Sequence, residues 1–257
     1  MEETMQRYFV DRRDANNLYL EPGDIIHTQR VMRYTNGDEV IGIDSTGNNY
    51  VCKIKDITKG ILQMQHRIDN DTSLDVAVTL IYALPKGDKF KWVLQKATEL
   101  GVHEIVPLQT ERCVTKLSTK DFSKKKLRYQ KIIKEASEQS LRNDIPILRD
   151  LITVDQMPNF KRGRMLIAYE QSASQGEHTK FAEVLQTMQS SDAITIVVGS
   201  EGGFAPEEIE MMLSFKGECC SLGKRILRSE TAPLYMLSVI GYSRELGDKN
   251  GIIQGTK

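Results

Sequence analysis

Long apolar runs are missing from this 257-residue chain. No stretch approaches the roughly 20 residues that a membrane helix needs, and the opening Met1-Glu2-Glu3-Thr4-Met5-Gln6-Arg7 lacks the apolar segment of a secretory signal. The expectation is a cytoplasmic protein with no membrane association. Cysteine is sparse: Cys52, Cys113, Cys219 and Cys220 form no Cys-x-x-Cys pair and have no histidine at zinc spacing, so they read as reduced and structural. His27, His66, His103 and His178 lie scattered, and no metal is assigned. An excess of one charge is absent too, since 35 Lys+Arg balance 35 Asp+Glu. Net charge therefore argues neither for nor against nucleic acid, and any RNA surface must come from local clustering. The dinucleotide Gly-x-Gly-x-x-Gly and the phosphate-loop pattern are also lacking, which counts against a Rossmann-type nucleotide enzyme.

What is present has two textures. Residues 1–74 read as short strands and turns: Arg7–Val10, a turn at Glu21-Pro22-Gly23-Asp24 into a strand at Ile25–Thr28, then Glu39–Asp44 and Tyr50–Ile54. This suggests a small β-barrel or compact sheet, with His66–Ser73 as linker. Residues 75–257 alternate buried strands with amphipathic helices. Strands are expected at Val76–Leu84, Val102–Leu108, Arg164–Glu170, Ile194–Val198 and near Cys219. Helices are expected at 88–100 (capped by Asp88), 121–142, 178–189, 206–216 and 231–246. That alternation implies an α/β domain with a parallel sheet covered on both faces. The terminal Gly251–Lys257 is expected to fray.

Two stretches carry the chemistry. Ile194–Val198 leads into Gly199-Ser200-Glu201-Gly202-Gly203, a glycine loop that lets a ligand approach the backbone, and Pro206 then starts a helix. About twenty residues on comes Leu222-Gly223-Lys224-Arg225-Ile226-Leu227-Arg228-Ser229-Glu230-Thr231-Ala232. The glycine loop alone is as readily a structural turn as a ligand loop. Ser229 or Thr231 reads most simply as a helix cap. Two arginines beside a second glycine turn suit an anionic or purine-bearing partner.

Together these stretches resemble the signature of the SPOUT-class RNA methyltransferases, and most closely the ribosomal RNA small-subunit methyltransferase E family. The likeness continues in Gln95–Val102 and Glu135–Ser140 and spans nearly the whole chain. Two positions depart from it: Ser200 stands where the family usually has proline, and Leu141 where it often has glycine. The resemblance implies a PUA-like RNA-binding domain over 1–74 and a SPOUT domain over 75–257. It implies a carboxyl-terminal trefoil knot holding S-adenosylmethionine (SAM), and a homodimer. It implies methylation of N3 of a uridine in 16S rRNA of the small ribosomal subunit. The cofactor residues it implies are Tyr169, Glu170, Gly199, Ser200, Glu201, Gly202, Gly203, Ser221, Leu222, Gly223, Ile226, Leu227, Arg228, Thr231 and Ala232. Arg228 is the first candidate for stabilising developing charge on the base. Glu201 is a candidate contact to cofactor or base, or equally a brace of its own turn. For RNA the candidates are Arg7, Arg12, Arg13, Lys86, Arg142 and Arg225, with Arg30, Arg33 and the basic run Lys124–Lys134 as further patches. Glu135, Gln139 and Arg142, spaced i, i+4, i+7, are expected on one helical face. Two alternatives stay open: a sister enzyme acting on tRNA or 23S rRNA, and a non-catalytic RNA-binding or ribosome-assembly protein of the same fold.

Overall fold

The computed structural model describes residues 5–69, 71–169 and 179–247. They fall into two compact units, one built from residues up to Ser73 together with Lys134–Ile145, the other from Leu74–Ile133 and the chain from Pro146 onward.

The first unit is a six-stranded sheet. Its strands are β1 (Arg7–Val10), β2 (Arg12–Arg13), β3 (Asn17–Tyr19), β4 (Glu39–Asp44), β5 (Asn49–Asp56) and β6 (Ile61–Ile68). The order is β1-β4-β5-β6-β3-β2, antiparallel except for the β1–β4 pair. Register shifts in β5 at Val51/Cys52 and Ile54/Asp56 bend the sheet, as bulges do, and the barrel-like result encloses Tyr8, Val10, Leu18, Val40, Cys52, Ile54 and Leu62.

Three expectations for this region are corrected. Ile25–Thr28 is not a strand: α1 runs Pro22–Ile26 and continues as a π-turn over His27–Val31. Pro22 in the first turn, the Ile25 amide on the Glu21 carbonyl and the Thr28 hydroxyl on the Asp24 carbonyl at 2.6 Å outweigh the β-branched residues. His66–Ile68 belong to β6 rather than to a linker. That strand was hidden because Gln63, Gln65 and Arg67 alternate with an inner set of which only Leu62 is fully buried. Thirdly, Lys134–Ile145 groups with this unit. Lys134 Nζ bonds Asp24 at 2.7 Å and Glu21 at 3.1 Å, and the Leu141 carbonyl accepts from Arg7 and Thr72, each at 2.9 Å.

The second unit is a seven-stranded sheet whose pairings are all parallel. Its strands are β7 (Ala77–Ala83), β8 (Glu104–Gln109), β9 (Ile147–Leu148), β10 (Ile152–Thr153), β11 (Arg164–Ala168), β12 (Ala193–Val198) and β13 (Gly217–Cys220), with helices α2 (Lys89–Glu99), α3 (Thr119–Gln139), α4 (Lys180–Thr187), α5 (Pro206–Ser214) and α6 (Thr231–Gly241). The order is β10-β8-β7-β12-β11-β13, with β9 also on β8. Central β12 is buried from Ile194 to Val198 and apolar except for Thr195, as a strand covered on both faces tends to be. The short β9 and β10 and the 3-10 turn Val154–Asn159 carry too few residues to show periodicity and were not anticipated.

Gly101, at φ +85°, sits just past α2, where a left-handed residue satisfies the last carbonyls. Asp88 does not cap that helix with its side chain; its carboxylate takes Lys91 Nζ at 2.6 Å instead. Helix α3 opens two residues earlier than expected, at Thr119, with the Asp121 amide on Ser118 Oγ at 3.1 Å. It stops at Gln139, and Leu141 adopts φ +62°. A glycine would hold this left-handed geometry without the cost of about 1–2 kcal/mol that a Cβ there carries. Arg142 consequently lies beyond the helix and does not share a face with Glu135 and Gln139.

Candidate functional site

Because the strands are parallel, the loops that leave β7, β11, β12 and β13 start from one edge. Register aligns Tyr82 with Val198, Val198 with Ala168, and Ala168 with Cys220. The chain leaves β11 to form β12 on one side of it and returns as β13 on the other, which makes this edge a switch point of the kind where ligands settle in α/β sheets. A cavity of about 730 Å³ opens here, lined by Ala168, Tyr169, Val198–Phe204, Cys220–Ser229, Ala232, Lys89 and Arg112.

Local chemistry shapes its walls. After β12 the chain turns tightly, with the Gly203 amide on the Ser200 carbonyl at 2.9 Å and Gly203 at φ +66°. Space is short at two further places: a Cβ on Gly199 would stand a tight 3.2 Å from Gly203 Cα, and one on Gly202 would stand 2.9 Å from both the Cβ and the carbonyl oxygen of Arg112, where something would have to shift. Ser200 is buried and its hydroxyl reaches the Arg112 carbonyl at 3.4 Å, so hydrogen bonds hold the turn. Pro206 begins α5, and the Ala205 amide donates to Glu208 Oε2 at 2.8 Å. After β13, the Gly223 amide donates to Ser221 Oγ at 3.1 Å. The Thr231 and Ala232 amides then close onto the Arg228 carbonyl. Neither Ser229 nor Thr231 caps α6: the cap position is Glu230 and its side chain bonds no helix amide.

Charge is distributed unevenly. Lys89 Nζ lies 2.9 Å from Glu201 Oε1 and 3.0 Å from Glu230 Oε2, and the Lys86 amide adds two bonds to the Glu201 carboxylate at 3.3 Å. Burial pushes the Glu201 carboxyl up, but the Lys89 ammonium and the amides outweigh it and hold the group below its ordinary value. Glu230 is lowered in the same way, burial opposing its own amide and Lys89. Arg225 and Arg228 are exposed on the cavity wall, and no acidic partner pairs with either among the described residues.

The structure gathers most of the sequence-derived site. Tyr169, Gly199, Ser200, Glu201, Gly202, Gly203, Ser221, Leu222, Gly223, Arg225, Ile226, Leu227, Arg228 and Ala232 all line the cavity. Thr231 does not; it is exposed at the start of α6. Glu170, His178 and Gly251–Lys257 lie outside the described residues. Lys86 contributes its amide rather than a lining side chain. Arg7 and Arg142 belong to the first unit and are corrections to the RNA set: they are 3% and 7% exposed, and they hold the Leu141 carbonyl and Asp144 respectively. Arg12 and Arg13 of that unit are exposed, stacked over Tyr19 and Tyr50. Lys89, Arg112, Phe204 and Ser229 were missed. Arg112 had a usable signal, since it follows the carboxyl end of β8 on the ligand-facing edge of a parallel sheet. Among the described residues no cluster of His, Cys, Asp and Glu could hold a metal, and no helix is long and apolar enough to cross a membrane.

This combination defines a class: residues 72–241 match the family model of the RNA methyltransferase domain. The chain is 37% identical to the ribosomal RNA small subunit methyltransferase E of Bacillus subtilis, over 94% of this chain and 98% of that one. It therefore belongs to the ribosomal RNA small subunit methyltransferase E family. The crystal structure of the Neisseria gonorrhoeae member, bound to SAM, superposes with a TM-score of 0.77 at 26% identity, covering 93% of this chain and 97% of the other. A Legionella pneumophila structure with bound SAM gives 0.79 at 27% identity over 92% and 96%.

Proposed function

We propose that this chain methylates N3 of a uridine in 16S rRNA of the small ribosomal subunit, with SAM as methyl donor. The observation that carries the reading is the convergence of the glycine loop and the arginine-bearing loop on one cavity at a parallel-sheet edge, in a member of this family. The lining suits the cofactor. Its volume lies in the range of small-molecule sites, and Val198, Leu222, Ile226 and Leu227 offer apolar contact to an adenine beside backbone groups of Gly199–Gly203 and Ser221–Gly223. The close approach of Gly202 to Arg112 leaves no room for a side chain there, and that of Gly199 to Gly203 leaves little.

Bound there, SAM supplies an electrophilic methyl on a sulfonium. The residues have three tasks. The glycine and Leu222–Leu227 walls position the donor for in-line attack. Arg228, unpaired on the wall, stabilises negative charge that develops on the uracil as N3 releases its proton to solvent water, and the methyl passes from sulfur to N3 with S-adenosylhomocysteine leaving. Glu201 braces the loop: a carboxylate held ionised by Lys89 is a weak base near neutrality, since a good general base has a pKa close to the working pH. Thr231 and Glu170 are assigned to the cofactor site on the family pattern alone.

The same reading makes residues 1–74 a PUA-like RNA-binding domain and 75–257 the SPOUT domain. Arg12, Arg13, Lys86 and Arg225 then serve as phosphate contacts. A trefoil knot around the cavity is assigned on the family pattern alone. A homodimer and a cytoplasmic location complete the proposal. The test is methyl transfer from labelled SAM to small subunits that lack their native modifications, followed by nucleoside analysis. N3-methyluridine in 16S rRNA is the expected product. Another methylated nucleoside would move the chain to a sister activity, and absence of SAM binding would remove the reading.

A further inference from the structure

We propose that Lys89 is a positioning residue that clamps the cavity shut on its ligand: one ammonium ties the glycine loop, through Glu201, to the end of the arginine-bearing loop, through Glu230. The inference rests on the reading of the cavity as a SAM site. Three elements distant in sequence meet at this point. Lys89 begins α2, Glu201 follows β12, and Glu230 precedes α6. The bonds are 2.9 and 3.0 Å, with side chains 35%, 31% and 15% exposed for Lys89, Glu201 and Glu230.

Two carboxylates bonded to one nitrogen stand about 6 Å apart at most, and like charges that close repel when water is partly excluded. Lys89 reverses the sign of that interaction. With it, the loops are drawn together. Without it, one carboxylate on each loop pushes the walls apart, and Glu201 keeps the Lys86 amide and its own. The clamp is thus a statement about charge, and packing of the lysine stem is a separate matter. Neither acid contributes a proton acceptor while the lysine is in place.

Charge and packing are separable by a double-mutant comparison. SAM affinity is measured by calorimetry for wild type, Lys89→Met, Glu230→Gln and the pair together, with KM and kcat beside it. Lys89→Met is expected to bind about tenfold more weakly or worse, a change of about 1.4 kcal/mol, through KM more than kcat. Adding Glu230→Gln removes the repulsion and is expected to restore affinity to that of Glu230→Gln alone. Lys89→Arg is expected to bind close to wild type. Wild-type affinity in Lys89→Met, or a double variant weaker than either single one, overturns the clamp. If Lys89→Met fails to fold, the double variant is expected to fold and bind, and its failure to fold overturns the charge argument. Amide exchange at Gly202, Gly203 and Gly223 in ligand-free protein gives a readout independent of SAM: faster in Lys89→Met, restored in the double variant. Restored protection without any wild-type SAM binding would uphold the clamp and remove the cofactor reading; unchanged exchange would remove the clamp whatever the cofactor does.

Discussion

Replacing Gly202 with alanine tests how closely the cavity wall is built. The added Cβ would stand 2.9 Å from both the Cβ and the carbonyl oxygen of Arg112, well inside the roughly 3.5–4.0 Å of an ordinary carbon contact. Arg112 cannot simply swing away, because the contacts are to its backbone and Cβ. Its carbonyl also accepts from Ser200 at 3.4 Å, and the turn beneath it is closed by the Cys113 amide on the Thr110 carbonyl. Relief therefore has to come from the glycine loop moving toward the cavity. Overpacking of this kind costs about 1–3 kcal/mol. Taken from ligand binding, that weakens SAM affinity by about fivefold to a hundredfold or more. Gly203→Ala is the contrasting variant: nothing stands within 4 Å of its Cβ, but the residue is at φ +66°, so its cost of about 1–2 kcal/mol is conformational. Calorimetric titration with SAM, beside thermal unfolding of each variant, separates the two. A folded Gly202→Ala protein with wild-type affinity would refute the wall as described.

Arg228→Ala is expected to lower kcat by about 10²–10³, the usual loss for one donor to a developing anion, with less effect on SAM affinity; a wild-type single-turnover rate would remove its role. Arg7→Met should destabilise the protein by about 1–3 kcal/mol, because a buried acceptor loses a charged donor, while the salt dependence of RNA binding stays unchanged. Arg12→Ala should do the reverse, reducing the salt slope by about one; filter binding across a salt series, with melting curves, checks both. Burial, reinforced by the Asp24 carboxylate, pushes the Glu138 carboxyl up to about 7, against Lys134 and the Phe9 amide. The folded protein then holds a proton that the unfolded chain releases near its ordinary 4.5, so this group's contribution to stability falls as pH rises from there to about 7 and is flat above. The change is on the order of 2–3 kcal/mol, and Glu138→Gln should flatten it in unfolding measured across pH; an unchanged pH profile would contradict the burial argument.

Much of the fold was written locally. The β-branched run Ile194–Val198, too short for a helix and stopped by glycine, reads as a strand covered on both sides, and the glycines after it announce a place of close approach. Pro206 with Glu208 sets the start of α5. The alternation of such strands with amphipathic helices was enough to infer a parallel sheet, and the Gly199–Gly203 and Leu222–Ala232 stretches were enough to place most of the cavity wall. These features were legible because each is decided within a few residues, by backbone sterics and by period.

What the tertiary structure alone decided is everything that depends on which groups meet. Ile25–Thr28 is helical because Pro22 and the Glu21 and Asp24 carbonyls bind it, against its β-branched content. Arg7 and Arg142 look in sequence like any surface arginine, yet folding buries them against a carbonyl and a carboxylate. Glu201 reads equally as a chemical group or a brace until Lys89, 112 positions away, is found bonded to it and to Glu230 at once. Proximity across such separations costs chain entropy that no local pattern records, and is recovered only when the whole sheet closes. The sequence alone therefore specified the elements and the loops at their ends; the assembled sheet decided which charges face each other and, with that, what the loops can hold.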